Sequence, residues 1–312
     1  MLTSAAHTTE DQFIGCLLGL ALGDALGAPY EGGPLERALW RLIGRTGDGC
    51  ARWTDDTRMS LDLAESLLAQ GKLDQDDLAR RFAASYAWRR GYGPSTARLL
   101  KRVRRGQPWA QAVKAVYPEG SFGNGAAMRA PVVALFYGAD PARMLGATRA
   151  SAVVTHAHPL GVEGAILVAV ASQALLARAT PAQVMAAAGI HCRTNDMLRR
   201  LDIATDWLTH DARPSAHEVA GQLGNGMTAA TSCVTALYIG LRHIDARFED
   251  LIAFTIACGG DVDTLAAMAG AMWGAYNGAA RLPDVALEQR ALLQATAQQL
   301  YRHVAQERQN AG

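Results

Sequence analysis

A chain of 312 residues, half of them hydrophobic, can bury a large core as one domain or as two. Charged residues make up 19% and sum to +1, which provides no basic field for nucleic acid and no acidic tail. Five cysteines (Cys16, Cys50, Cys192, Cys233, Cys258) are odd in number and never spaced CxxC. They indicate neither a zinc site nor a disulfide framework, and reduced thiols in a cytoplasmic protein are expected.

Alanine and leucine dominate, and no stretch alternates in the manner of a strand. Helical periodicity predicts helices over 10–27, 56–70, 75–90, 94–105, 109–116, 126–138, 141–152 and 159–178. It continues over 181–189, 195–209, 228–242, 247–258, 264–278 and 286–307. Residues 29–54, 117–125 and 210–227 read as irregular connections containing Gly or Pro. No low-complexity linker and no fixed-period repeat divides the chain, so a single all-α domain over 1–312 is expected, with function on its loops. The N-terminus lacks a basic n-region, the apolar run 13–23 is cut by Asp24, and the run 160–177 carries Glu163 and Gln173. No membrane partner is expected.

Several motifs carry chemistry. The first helix ends in Gly23-Asp24-Ala25-Leu26-Gly27-Ala28-Pro29-Tyr30-Glu31. Asp24 is expected near the interior, and Glu31, on a Gly/Pro-rich turn, is a candidate for proton transfer or else a solvated loop glutamate. Trp53-Thr54-Asp55-Asp56-Thr57 then opens a helix with a hydroxyl and two adjacent carboxylates. Gly259-Gly260-Asp261-Val262-Asp263-Thr264 opens another in the same manner. Either alone is an ordinary helix cap, but a cap needs one Asp, not two plus a Thr.

Should these two helix starts meet, four carboxylates converge, and like charges at close range raise one another's pKa. A hard divalent cation relieves that conflict. All-oxygen ligation suits Mg²⁺ or Mn²⁺ better than zinc, and four negative charges match two such ions.

Between these motifs, Tyr92 lies on the turn Arg90-Gly91-Tyr92-Gly93, and the basic run 101–105 reads as a solvated helix face. Ser121-Phe122-Gly123-Asn124-Gly125 precedes a helix; its glycines permit close backbone approach to an anion, or form a plain helix-starting turn. No strand precedes it and no Walker pattern is present. In Thr155-His156-Ala157-His158-Pro159, a histidine that orients a phosphate or ribose competes with a satisfied, partly buried one. Trp273 and Tyr276 read as core or interface aromatics.

Taken together and in order, GCLLGLALGDALG with Glu31, WTDDT, SFGNGAAMR, the Thr155-His156 pair and GGDVDTLAAMAGA resemble the ADP-ribosylglycohydrolase family over nearly the whole chain. The resemblance implies an all-α, orthogonal multi-helix domain with a binuclear metal site at helix N-termini. It implies Thr54, Asp55, Asp56, Asp261, Asp263 and Thr264 as ligands of two Mg²⁺, with Mn²⁺ an alternative. It implies Ser121, Phe122, Gly123, Asn124, Gly125, His156 and Tyr92 as substrate contacts, with Glu31, Asp261 and Asp263 as the catalytic group.

The implied reaction is hydrolysis of the bond between ADP-ribose and a protein side chain by a monomer, on a modified protein or an ADP-ribose-containing small molecule. GDALGAPYE and RGYG are more similar to the branch that removes ADP-ribose from serine. GNGAAMR and THxHP are shared with the nitrogenase-regulating branch, which carries an acid near the position of Tyr92, so an arginine linkage stays open. A non-catalytic ADP-ribose reader and a two-metal phosphohydrolase are the other readings.

Overall fold

The computed structural model of the chain describes residues 8–138 and 140–311. Its helices are α1 (Glu10–Gly27), α2 (Pro34–Ile43), α3 (Asp55–Gln70), α4 (Gln75–Ser85) and α5 (Pro94–Arg104). There follow α6 (Trp109–Val116), α7 (Ala130–Tyr137), α8 (Pro141–Val153), α9 (Pro159–Leu176) and α10 (Pro181–Gly189). The last are α11 (Asn195–Thr209), α12 (Ala216–Leu223), α13 (Ala229–Arg242), α14 (Phe248–Cys258), α15 (Val262–Asn277) and α16 (Arg290–Ala311). Three short 3-10 turns (Ala28–Tyr30, Trp88–Arg90 and Ala279–Arg281) and isolated β-bridges accompany them among the described residues.

Two helices form the axle. Gly15, Gly19, Gly23 and Gly27 recur at every fourth position of α1 and so share one face. A methyl group on Gly19 would lie 2.3 Å from the Gly270 carbonyl oxygen, and one on Gly23 would lie 2.1 Å from that of Ala266. α1 and α15 therefore run antiparallel with their backbones in contact, and the C-terminal end of α1 lies beside the start of α15. At the other end, Thr9 and Gln12 form a capping box, and Gln12 Nε2 also donates to the carbonyls of Leu176 and Ala275. Helices α7, α9, α13, α14 and α16 pack around this pair, while α3 and α4 flank one side. The core is one continuous cluster holding Trp53, Trp273, Phe82 and Phe136, with a small satellite of Leu99, Ala112 and Val113 between α5 and α6.

α1 and α9 are long and apolar enough to cross a membrane by length and hydropathy alone, the run 160–177 included, yet 78% of each is buried inside the protein. The apolar surface of both is used in the core. All five cysteines are free, with Cys16, Cys192, Cys233 and Cys258 buried.

Five elements differ from those expected, one of them α16, which spans Arg290–Ala311 rather than 286–307. The segment 29–54 contains α2, started by Pro34 and by Glu36 bonding back to Gly33 N; none of its residues is buried, so its periodicity has no core to match. The segment 210–227 contains α12, opened by a Ser215/Glu218 capping box. α4 stops at Ser85 because Arg104 takes the carbonyls of Ala83, Ala84 and Tyr86; that end of the basic run thus caps a helix rather than only facing water. Finally α7 starts at Ala130, because Ala127 N and Met128 N both donate to Asn124 O in a turn.

Candidate active site

The start of α3 is fixed from below by Asp24. This carboxylate is fully buried in the last turn of α1 and accepts from Thr54 N at 2.9 Å, Thr57 N at 3.0 Å and Thr57 Oγ1 at 2.6 Å. Burial raises its pKa to about 6 against the lowering effect of those hydrogen bonds. From the side, Arg90 stacks 3.7 Å over the buried Trp53 ring, donates to Trp53 O, and pairs with both oxygens of Glu288 at 2.7 and 2.9 Å. Thr54 caps the helix by accepting from Asp56 N. The paired acids Asp55 and Asp56 are presented by a turn that cannot shift easily.

The start of α15 is built by its glycines. Gly259 and Gly260 have φ of +66° and +76°, and a methyl group on Gly260 would lie 2.0 Å from Asn225 O. That carbonyl receives Asp261 N at 2.8 Å. Asp263 accepts from the Thr264 amide at 2.8 Å, and Thr264 Oγ1 lies 3.5 Å from Asp56 Oδ1, so the two helix tips meet across the chain. Carboxylate oxygens of Glu31, Asp261 and Asp263 all lie within 4.8 Å of one another.

The electrostatics of this cluster are unfavourable without a cation. Burial, and then the charges of its neighbours, push Asp55, Asp56 and Asp263 well above the usual carboxylate range; burial also raises Asp261 and Glu31. Among the described residues no arginine or lysine pairs with any of them. Asp56 Oδ2 is buried without a hydrogen-bond partner, although its side chain faces the cluster. An orphaned carboxylate oxygen beside gathered acids fits a hard divalent cation.

These acids form the floor of a cleft of about 300 Å³. One wall is the loop Ser121–Gly125, pinned to the start of α13 by Asn124 N donating to Met227 O and Ala229 N donating to Phe122 O. Asn124 Nδ2 reaches across to Asp261 Oδ2 at 2.5 Å. His156 packs against the glycines of this loop: a methyl group on Gly125 would lie 2.6 Å from its Cε1. Burial, and then the charge of Arg129, lower the His156 pKa to about 3, so the ring is neutral. Phe122 stands half-exposed at the mouth, edge-on to His158.

The structure brings together Glu31, Asp55, Asp56, Asp261, Asp263, Thr264, the loop 121–125 and His156 around this one cleft. Thr54 does not line it; it borders a neighbouring hollow with Glu31, Trp40 and Trp88. Tyr92, expected among the substrate contacts, does not line the cleft. Gly91, with φ of +83°, turns the chain so that the Tyr92 ring is buried 5.0 Å from Tyr86, and the cleft wall is formed instead by Gly91 and Gly93–Thr96.

Sequence reasoning also missed the anchoring role of Asp24, the Asn124–Asp261 link, and the Met227 and Thr228 part of the lining. The glycine spacing on α1 was a usable signal for the first of these. Nothing local in the sequence marked the other two.

The fold and the cleft define an all-α protein that sets a carboxylate cluster, able to hold a cation, beside a glycine-rich loop and a buried neutral histidine. The chain belongs to the ADP-ribosylglycohydrolase family, whose model matches residues 5–310. It is 33% identical to ADP-ribosylhydrolase ARH3 of Mus musculus, over 90% of this chain and 87% of that one. It is 31% identical to the ADP-ribosyl-[dinitrogen reductase] glycohydrolase of Rhodospirillum rubrum, over 89% of each. A solved "ADP-ribosylglycohydrolase-related protein complex" superposes with a TM-score of 0.71 at 29% identity, covering 94% of this chain and 98% of that one. Hydrolysis of ADP-ribose linkages is the reaction class these relationships support.

Proposed function

We propose that this protein hydrolyses the bond between the distal ribose of ADP-ribose and a protein side chain, with a serine oxygen as the favoured leaving group and arginine nitrogen as the second choice. The observation that carries this reading is the gathering of Glu31, Asp261 and Asp263 within 4.8 Å at the floor of a cleft walled by the 121–125 loop. Asp55, Asp56, Asp261, Asp263 and Thr264, with Thr54 behind them, would hold two Mg²⁺ or Mn²⁺. When bound, such ions neutralise the carboxylates, orient the ribose hydroxyls and favour an attacking water.

The chain's own residues do the rest. The 121–125 loop and His156 hold the pyrophosphate, and the half-exposed Phe122 offers a face for the adenosine half. Held at both ends, the ribose is presented in one orientation, which lowers the entropic cost of reaching an oxocarbenium-like state. Glu31 takes a proton from water or gives one to the departing atom. A serine oxygen needs that proton, whereas a guanidinium is already cationic. A glutamate so placed therefore favours the oxygen linkage.

The test is release of ADP-ribose from serine-linked and arginine-linked peptides in parallel, with Mg²⁺ present. Faster release from the serine peptide is expected, and faster release from the arginine peptide would overturn that assignment. Tight ADP-ribose binding with no release from either peptide would make the protein a reader. Release of phosphate from simple phosphoesters would make it a phosphohydrolase.

A further inference from the structure

Arg129 is fully buried and has no carboxylate partner among the described residues. Its guanidinium donates to Gly125 O at 2.5 Å, Ser151 O at 2.9 Å and Thr155 Oγ1 at 2.9 Å, and lies 5.0 Å from the Phe82 ring. A guanidinium has no acceptor, so Thr155 Oγ1 must accept in that contact and its single hydrogen is directed elsewhere. His156 Nδ1 lies 2.7 Å from the same oxygen. Thr155 Oγ1 has no other hydrogen-bond partner among the described residues, so if Nδ1 carried the ring proton the buried hydroxyl hydrogen would be left without an acceptor. Nδ1 is therefore the acceptor, and the proton sits on Nε2.

We propose that Arg129 and Thr155 are positioning residues: together they hold His156 as the neutral Nε2–H tautomer, which makes the ring a hydrogen-bond donor at the inner face of the 121–125 loop. The ring is placed for this role, since a methyl group on Gly123 would lie 3.2 Å from His156 Nε2. A pyrophosphate offers only acceptor oxygens there, so the opposite tautomer would turn a lone pair on it. The tautomer follows from this geometry alone. Its use toward phosphate rests on the function proposed above.

The experiment is a long-range ¹H–¹⁵N correlation spectrum of histidine-labelled protein, with His156 identified from the signals lost in His156→Asn. Wild type is expected to show a protonated Nε2 and an unprotonated Nδ1, and Thr155→Ser is expected to keep that pattern. Thr155→Val should lose it and bind ADP-ribose about tenfold more weakly, the loss of one hydrogen bond to a charged group. A wild-type ring protonated on Nδ1, or charged at pH 7, would overturn the proposal whether or not the variants fold. So would an unchanged pattern in Thr155→Val. The expected tautomer with no affinity for ADP-ribose would overturn the functional reading and support the relay.

Discussion

Asn124 Nδ2 lies 2.5 Å from Asp261 Oδ2 and 3.1 Å from Ser232 Oγ. One amide thus ties the loop proposed to hold phosphates to an acid proposed to hold metal. Asn124→Asp would set a carboxylate against Asp261, and Asn124→Ala would leave that acid unoriented. Either change is expected to lower ADP-ribose release by about 10- to 100-fold, the range found when groups orienting metal ligands are removed. Steady-state release at saturating Mg²⁺ checks this, and wild-type rates in both variants would mean that the link is idle.

Asp24 does not line the cleft, yet its two oxygens receive the Thr54 and Thr57 amides and the Thr57 hydroxyl. Asp24→Ala strands those donors in the core at a cost of about 1–3 kcal/mol each. Chemical denaturation is expected to show a large loss of stability or no folded protein. Asp24→Asn, which keeps the shape but introduces an amide among donors, is expected to fold and to bind Mg²⁺ more weakly. Unchanged Mg²⁺ affinity in Asp24→Asn would separate Asp24 from the site.

Proton and cation compete for the same oxygens. Asp55, Asp56 and Asp263 have raised pKa values in the folded chain, so without metal it binds more protons than the unfolded chain above the ordinary carboxylate range. The cluster's contribution to stability therefore falls as pH rises. Divalent cation removes that penalty, and the gain in Tm on adding Mg²⁺ should grow as pH rises above the ordinary carboxylate range. It is expected to reach about 5 °C at a hundredfold excess over Kd. Differential scanning calorimetry in EDTA and in Mg²⁺ measures this, and a gain that shrinks with pH would contradict it.

His156 acts in the opposite sense and over a different window. Its folded pKa of about 3 lies below the ordinary value of 6.5, so the unfolded chain binds the extra proton. Its contribution to stability is complete above pH 6.5 and is lost toward pH 3, by up to about 1.4 kcal/mol per pH unit. Denaturant midpoints between pH 6.5 and 4 should fall less in His156→Asn than in wild type. Parallel curves would remove His156 as a cause of acid lability.

The α1–α15 contact leaves no room for a methyl group. Gly19→Ala would place a carbon 2.3 Å from a backbone oxygen and must push the two helices apart. Because the same pair carries Asp24 and Asp263, loss of stability and of metal affinity should appear together. A Gly19→Ala protein with wild-type Tm would contradict the close packing.

The sequence showed most of the helices whose apolar stripe meets the core, α12 with Val219 and Leu223 excepted, and showed both acidic helix starts, since their chemistry is local. α2 does carry a helical apolar stripe, Leu35, Leu39 and Leu42, but it faces solvent and sits in a stretch whose glycines and proline read as a connection. The early stop of α4 was hidden because Arg104, from another helix, takes the carbonyls. Tyr92 was expected at the substrate from the family resemblance, as an aromatic on a flexible turn. Which side of a left-handed turn faces the cleft depends on the packing of Tyr86, which no local pattern records. Asn124 was legible as a loop residue, but its reach to Asp261 depends on two segments 137 residues apart being brought together.

These acids are proposed to hold the cations needed to cleave ADP-ribose from a side chain. That role is tested most directly by release from a serine-linked peptide after the enzyme is stripped with EDTA and then titrated with Mg²⁺, with Asp263→Ala alongside. No release by the stripped enzyme, recovery with Mg²⁺, and no recovery in Asp263→Ala are expected, and Asp263→Ala should keep its helical circular dichroism. Full turnover in EDTA, or in Asp263→Ala, would contradict that role.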